Sequence, residues 1–288
     1  MPFYFLDQGQ AITFSPATRP NLISVFRSAD EAMIMPRVMH KHDDNLEIVL
    51  IRQGQGQHVI GGRSYLTGKG DILVYNAGVL HDESTGLYDS LQVYYCSVDQ
   101  IQVQGLPANQ LLSKGSPAVI HCGATFPQVE SLFGLMVDQA ALHTPQSMEI
   151  AQQALSVLLL LIRSLSLQQA SDPPLTEPDL GQQIKDYIDQ NYPEDLTLTS
   201  IAEVFHINPY YLSHLFKEQL GFSPMQYLIR RRIGEAQSLL IHTDRPVKDI
   251  ATAVGFNHLN NFHNSFQKMV GMAPGRYRKQ WHEGDLAK

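Results

Sequence analysis

Cysteine is nearly absent from this sequence: only Cys96 and Cys122 occur among 288 residues, and they form no CxxC pair. This excludes a disulfide framework and a cysteine-based zinc site, and it favours a reducing compartment. Long apolar runs are missing too, since VLLLLI at 157–162 is far shorter than the about 20 residues that span a bilayer. The first ten residues lack the basic and apolar regions of a signal peptide. We therefore expect a cytoplasmic protein with no membrane partner.

Motifs of common enzyme classes are also missing. No P-loop or other phosphate loop and no GxSxG motif occurs. His58, His121 and His143 are isolated from other candidate acid–base residues, so surface or core positions are expected for them. The sequence therefore predicts a protein that is not an enzyme, with one stretch, HKHDDNLE at 40–47, still to be explained.

The sequence pattern changes along the chain and predicts two domains in an α+β protein. Residues 1–125 contain short apolar runs separated by turn residues, which is typical of a β-sandwich or β-barrel. Residues 126–170 repeat apolar residues at intervals of three and four, which predicts helices that serve as core, as a dimer interface, or as both. The proline-rich, acidic stretch 171–179 predicts a linker, and residues 180–288 predict an all-α domain.

The charge is unevenly distributed. The whole chain has a net charge of −7, but residues 196–288 contain 11 Lys/Arg and 7 Asp/Glu, a net charge of +4. A polyanion responds to the local field, so a basic final third is compatible with DNA binding by an acidic protein.

The basic third contains an internal repeat. IAEVFHINPYYLSHLFKEQLGFSPMQY at 201–227 recurs as IATAVGFNHLNNFHNSFQKMVGMAPGRY at 250–277, with matched apolar, Gly and Pro positions. Each copy predicts a helix, a short turn and a second helix that ends at glycine, over 197–221 and 247–271. This is helix-turn-helix geometry, in which the second helix enters the major groove of DNA. A generic helical pair is the alternative, and the tandem repeat favours DNA binding.

One long helix is predicted to connect the two copies. The stretch 223–243 corresponds to about 30 Å of helix, close to the about 34 Å repeat of B-DNA. It would place the two second helices in successive major grooves on one face of DNA. Arg230, Arg231 and Arg232 lie on this helix, either on a solvated face with one ion pair or with at least one of them holding the fold.

Removing the buried positions leaves the side chains expected to contact DNA. The second copy is rich in amides, which pair bidentately with adenine, so it is expected to favour A·T-containing steps. Lys217, Lys268, Arg276 and Arg278 are expected to bind phosphates. The full set comprises Asn208, Tyr210, Tyr211, Ser213, His214, Lys217, His258, Asn260, Asn261, His263, Asn264, Gln267, Lys268, Arg276 and Arg278.

Residues 180–280 resemble the AraC/XylS family of bacterial transcription regulators. The stretch GFNHLNNFHNSFQKMVGMAPGRYR follows the second helix-turn-helix motif of that family. Arginine is frequent in the family where this chain has His214 and Asn264, and lysine is frequent where it has Gln267. The resemblance implies activation or repression at a promoter under the control of a small molecule, with RNA polymerase as a further expected partner.

The stretch HKHDDNLE and the later segment from Gly70 to His81 resemble the two motifs of cupins. The resemblance implies a small β-barrel with four candidate ligands, His40, His42, Glu47 and His81, which suit Fe, Mn, Ni or Zn. Asn76 replaces a proline preferred in cupins. Four roles remain open for these side chains: effector binding without metal, effector binding with a divalent metal, a structural role, or catalysis by a cupin metalloenzyme. The first is expected, with a sugar or other small polar molecule as effector and no required cofactor.

Sensing requires an element with two arrangements that an effector binds unequally. The N-terminal arm, residues 1 to about 20, and the helices of 126–170 are the candidates. A homodimer formed through the helices would present two copies of the tandem helix-turn-helix domain to repeated half-sites on DNA. A constitutive DNA-binding protein without an effector is the remaining alternative.

Overall fold

The computed structural model describes residues 19–28, 37–82, 91–169 and 179–285, without the side chains of 283–285. Almost all of the predicted arm and linker lies outside the described residues. The described residues of the first part contain eight strands: β1 (Asn21–Arg27), β2 (Leu46–Gln53), β3 (Gln55–Ile60), β4 (Arg63–Gly68), β5 (Asp71–Tyr75), β6 (His81–Asp82), β7 (Gln92–Asp99) and β8 (Val119–His121).

The strands form two antiparallel sheets. One has the order β1-β7-β2-β5-β8 and the other β4-β3-β6. Buried Ile51 and Tyr75 of the larger sheet and Ile60 of the smaller belong to one apolar cluster that joins the sheets. Strand β2 lies at the centre of the larger sheet and is apolar on both faces, because its second face packs on helices. This is the β-rich domain that the short apolar runs predict.

Two helices cover the outer face of the larger sheet: α1 (Phe126–Ala140) and α2 (Pro145–Gln169). Leu155, Leu158, Leu159 and Ile162 of α2 are fully buried in the same core as the sheet residues. By length and composition α2 would also suit a membrane span. Its packing against α1 and the sheet identifies it as a core helix instead.

The remaining helices form the helical C-terminal region that the sequence predicts. They are α3 (Leu180–Asn191), α4 (Leu198–Val204), α5 (Pro209–Leu220), α6 (Pro224–His242), α7 (Val247–Ala253), α8 (Leu259–Val270) and α9 (Pro274–Asp285). Several begin at residues that the sequence marks as caps. Thr197 and Ser223 each close a capping box, and Pro209 occupies the first turn of α5. Gly221 and Gly271 end α5 and α8 in the left-handed conformation.

The two repeat copies use the same buried positions. Leu212 and Phe216 of α5 correspond to Phe262 and Phe266 of α8, and all four are fully buried. The turn between the paired helices needs one left-handed residue in each copy. That residue is His206, with φ 53°, in the first copy and Gly255, with φ 91°, in the second.

The three consecutive arginines of α6 all serve the fold, so the solvated-face interpretation is wrong. Arg230 forms an ion pair with buried Asp82 at 2.8 Å. Arg231 pairs with Glu235. Arg232 donates to the backbone carbonyl oxygens of Tyr192 and Glu194, which closes the connection between α3 and α4. Because these arginines are engaged within the protein, fewer positively charged side chains of this region are available to bind DNA.

The sheet domain rests on α6. The Val38 N–H donates to Oε1 of Gln237 at 2.8 Å. A Cβ on Gly234 would lie 1.8 Å from the carbonyl oxygen of Met39, so only glycine permits this approach. Together with the Arg230–Asp82 pair, these contacts join the strand domain to the helix that connects the two repeat copies.

Candidate functional site

The second helix of each repeat copy presents an exposed polar face. On α5 this face carries Tyr210, His214 and Lys217, spaced by four and three residues, while Leu212 and Phe216 are buried behind it. Tyr210 is 82% exposed and its ring stacks on that of His214. A helix of 12 residues with one apolar and one polar face is suited to insertion in the major groove.

Helix α8 repeats the arrangement with different side chains. Asn260, Asn264 and Gln267 occupy the positions of Tyr210, His214 and Lys217, and all three are exposed. Apart from the half-buried Ser213, His263 and Arg278, the predicted DNA contacts are exposed: Asn208, Tyr210, Tyr211, His214, Lys217, His258, Asn260, Asn261, Asn264, Gln267, Lys268 and Arg276.

Two predicted contacts have structural roles. Asn208 caps α5, because its side-chain oxygen accepts from the Tyr210 N–H at 2.8 Å. Arg278 donates to the carbonyl oxygens of Leu240 and Arg245, so its guanidinium holds the end of α6 and the following loop. Both roles depend on the positions of backbone groups, which the residue types alone do not reveal.

The four candidate ligands of the strand domain come together at one point. His40 and His81 pair through their backbones, each N–H donating to the other's carbonyl at 2.8 Å. Glu47 is the second residue of β2. His42 lies in the segment that connects His40 to β2. One ligand atom from each of the four residues lies within 4.8 Å of the other three. The spacing HxHxxxxE with a distant histidine thus produces a single cluster.

Glu47 is the centre of the cluster. Its Oε1 lies 3.0 Å from Nε2 of His42, and its Oε2 lies 3.3 Å from Nε2 of His81. The Tyr95 hydroxyl also donates to Oε1 of Glu47, at 2.5 Å. The side chain of Glu47 is 5% exposed, so these contacts lie in a largely water-free environment.

The charge states in the cluster follow from burial and hydrogen bonding. Burial would raise the pKa of Glu47, but hydrogen bonds from His42 and His81 hold it well below its usual range. Burial also lowers the pKa of His40 well below its usual value, and the neighbouring His81 adds to the effect. The cluster therefore contains a carboxylate and a neutral imidazole at neutral pH.

Two neighbours of the cluster carry no motif in the sequence. Tyr95 reaches Glu47 from β7, which pairs with β2. A sequence motif does not show this contact, because it depends on the register between the two strands. Arg37 places Nη1 3.2 Å from Nε2 of His42. His58, predicted to be isolated, is buried close to Asp82 and His81, and burial lowers its pKa to about 4.

Asn76, which stands where cupins prefer proline, has a structural explanation. Its Oδ1 accepts from the Leu111 N–H at 2.9 Å, and its Nδ2 donates to the Leu112 carbonyl at 2.8 Å. The amide thus anchors a distant loop, which proline lacks the groups to do.

Comparison with known proteins accounts for both domains. A family model for an AraC-like ligand binding domain matches residues 32–174, and one for a helix-turn-helix domain matches residues 201–280. The HTH-type transcriptional activator RhaS of Enterobacter sp. (strain 638) is 31% identical over 249 residues, covering 83% of this chain and 87% of the relative. The HTH-type transcriptional regulator YdiP of Escherichia coli (strain K12) is 27% identical, covering 84% and 81%.

Among solved structures, the C-terminal domain of AraT, a response regulator from Geobacillus stearothermophilus, is 33% identical with a TM-score of 0.35. The match covers 38% of this chain and 88% of that structure. The two family models and the relatives matched along most of their length agree with the cupin-like sheet domain and the tandem helix-turn-helix units. The chain is therefore a DNA-binding transcription regulator of the AraC family.

Proposed function

We propose that this regulator changes its DNA binding in response to a small polar effector, such as a sugar, held in the strand domain. The observation that carries the proposal is the buried polar cluster of His40, His42, Glu47 and His81 in a domain that contacts α6. Nδ1 of His40 is buried without a hydrogen-bond partner, which is costly, and a polar molecule bound beside it would supply one. A cytoplasmic location and a non-enzymatic role accompany this function, and RNA polymerase is its expected further partner.

The effector proposal predicts a stability change. A panel of sugars and other small polar metabolites is added to the full chain, and unfolding is followed by thermal shift. An effector at 100 times its dissociation constant is expected to stabilise the domain that binds it by about 2.7 kcal/mol. The same effector should change the affinity of the full chain for operator DNA. The absence of any stabilising compound, or a stabilising compound without effect on DNA affinity, would instead favour a constitutive regulator.

We further propose that the chain forms a homodimer through α2. Ile150, Val157, Leu160 and Leu167 are 44–60% exposed and lie within one stripe on the side of α2 that does not face the core. They follow one another at spacings of seven, three and seven residues, which place them on one face of the helix, as apolar residues are placed where two helices pair. Light scattering of the full chain at micromolar concentration is expected to give twice the chain mass. The double variant Val157→Glu/Leu160→Glu should be monomeric, while Lys114→Glu, at an exposed position outside α2 with the same total change in charge, should not change the mass.

A further inference from the structure

We propose that a polar cavity beside α2 binds a free amino acid, at a site separate from the cluster around Glu47. The cavity has a volume of about 390 Å³ and lies where the start of β1 and the end of β7 meet the N-terminal half of α2. Sites for small molecules have volumes of about 300–1,000 Å³, so an amino acid fits. Its binding does not depend on the effector proposed for the cluster.

The cavity is lined by one positive and one negative side chain that do not pair with each other. Arg19 lies just before β1, and Glu149 lies near the start of α2. Neither forms a salt bridge with another described residue, although Gln153 donates to Oε1 of Glu149 at 2.9 Å. A free amino acid carries a carboxylate that suits the fork of a guanidinium, and an ammonium group that suits a carboxylate. Both charges of the cavity would thus gain a partner from one molecule.

Two amides that line the cavity are held in fixed orientations. Nε2 of Gln152 donates to Oδ1 of Asn21 at 3.1 Å, and its Oε1 accepts from the Leu22 N–H at 3.0 Å. Nδ2 of Asn21 donates to Asp99 at 2.8 Å. In each amide these bonds use one of two donor hydrogens and one of two acceptor lone pairs, so the others can bind a ligand. Side chains that are already held lose little further conformational entropy on binding.

The backbone beside the cavity adopts a conformation that is uncommon for its residue type. Gln100 lines the cavity directly after β7 and has φ 56°, in the left-handed region. Residues other than glycine have a free-energy cost there, and such residues cluster at functional sites. The exposed side chain of Gln100 forms no hydrogen bond with other described residues, so its amide is available to a ligand.

The two charges of the cavity select among small polar molecules. A neutral sugar would bond to the amides but would leave both charges without a partner. A dicarboxylate would pair with Arg19 and be repelled by Glu149, and a diamine would meet the opposite conflict. Only a molecule with one group of each sign satisfies both ends, which favours a zwitterion of the size of an amino acid.

The test is isothermal titration calorimetry of the full chain with a panel of free L-amino acids. At least one is expected to bind with one molecule per chain. Its amide, which lacks the carboxylate, and its hydroxy-acid analogue, which lacks the ammonium group, should each bind at least about tenfold more weakly, because each loses a charge-assisted hydrogen bond.

The variants assign each charge of the ligand to one residue. Arg19→Gln should bind the amino acid at least about tenfold more weakly and should no longer distinguish it from its amide. Glu149→Gln should show the same loss and should no longer distinguish it from the hydroxy acid. Both residues are exposed, so the fold should be retained. Arg27→Gln, at an exposed position of β1 outside the cavity, is the matched control and should leave the affinity unchanged.

Amide hydrogen exchange locates the bound molecule. The Leu22 N–H, which donates to Gln152 in the cavity lining, should exchange more slowly in the complex, and the Val38 N–H at α6 should not change. Absence of binding by every amino acid would overturn the proposal, as would an affinity that stays the same in both cavity variants. Binding that is lost in Glu47→Gln and retained in Arg19→Gln would place the compound in the cluster and would overturn it too.

Discussion

The variant Gly234→Ala is expected to detach the strand domain from α6 while making α6 itself a better helix. The added Cβ would lie 1.8 Å from the Met39 carbonyl oxygen and 2.6 Å from that of Val38, two backbone atoms that cannot move aside alone. Overpacking of this kind costs about 1–3 kcal/mol or more. Alanine in place of glycine within a helix contributes about 1 kcal/mol in the opposite sense.

Amide hydrogen exchange on the full chain distinguishes the two effects. The Val38 N–H, which donates to Gln237, should exchange at least about tenfold faster in Gly234→Ala, because about 1.4 kcal/mol of lost docking corresponds to that factor. Gly275→Ala is the matched control, since nothing lies within 4 Å of its added Cβ in α9. Unchanged exchange at Val38 with raised thermal stability would show that the domains are not docked through α6 in solution.

The double variant Asn260→Ala/Asn264→Ala is expected to abolish most base discrimination by the second repeat copy. Both amides are exposed on α8, one turn apart, above a buried face formed by Phe262 and Phe266. A bidentate amide–adenine pair contributes about 1–3 kcal/mol of discrimination, so the double variant should lose about 2–6 kcal/mol at A·T-containing steps. Phosphate contacts do not depend on these side chains, so non-specific affinity should be retained.

Selection of DNA sequences from a random pool, with the full-length wild type and variant side by side, measures this change. Asn257→Ala is the matched control, because Asn257 is exposed but precedes α8. The preferred sequence of the half-site bound by α5 should stay unchanged and serve as an internal reference. An unaltered preference in the other half-site would show that α8 does not use its amides to recognise bases.

The C-terminal fold could be predicted from sequence because its determinants are local. The repeat, the caps at Thr197 and Ser223, and the terminal glycines Gly221 and Gly271 act within one or two helical turns. The β-rich character of the first domain was also predictable from short apolar runs. The docking of that domain on α6 was not, because Asp82 and Arg230 are 148 residues apart and neither belongs to a recognisable motif.

The cluster of candidate ligands could be predicted only in part. His40, His42, Glu47 and His81 were identifiable by their spacing. Tyr95 was not, because its approach to Glu47 depends on the register between β2 and β7. The same applies to Arg278 and to Arg230 and Arg232 of α6, because their hydrogen-bond partners are backbone carbonyls and a buried aspartate that lie far away in the sequence.

The two turns of the repeat are constrained to different degrees. His206 adopts its left-handed conformation at a cost that a glycine would avoid. At the matching position, a Cβ on Gly255 would lie 2.6 Å from the Pro193 carbonyl oxygen and against Arg232. The first turn therefore accommodates a side chain, while the second is restricted to glycine by a chain segment from the beginning of the domain. Of the two repeated units, the one nearer the C-terminus therefore tolerates fewer substitutions at this turn.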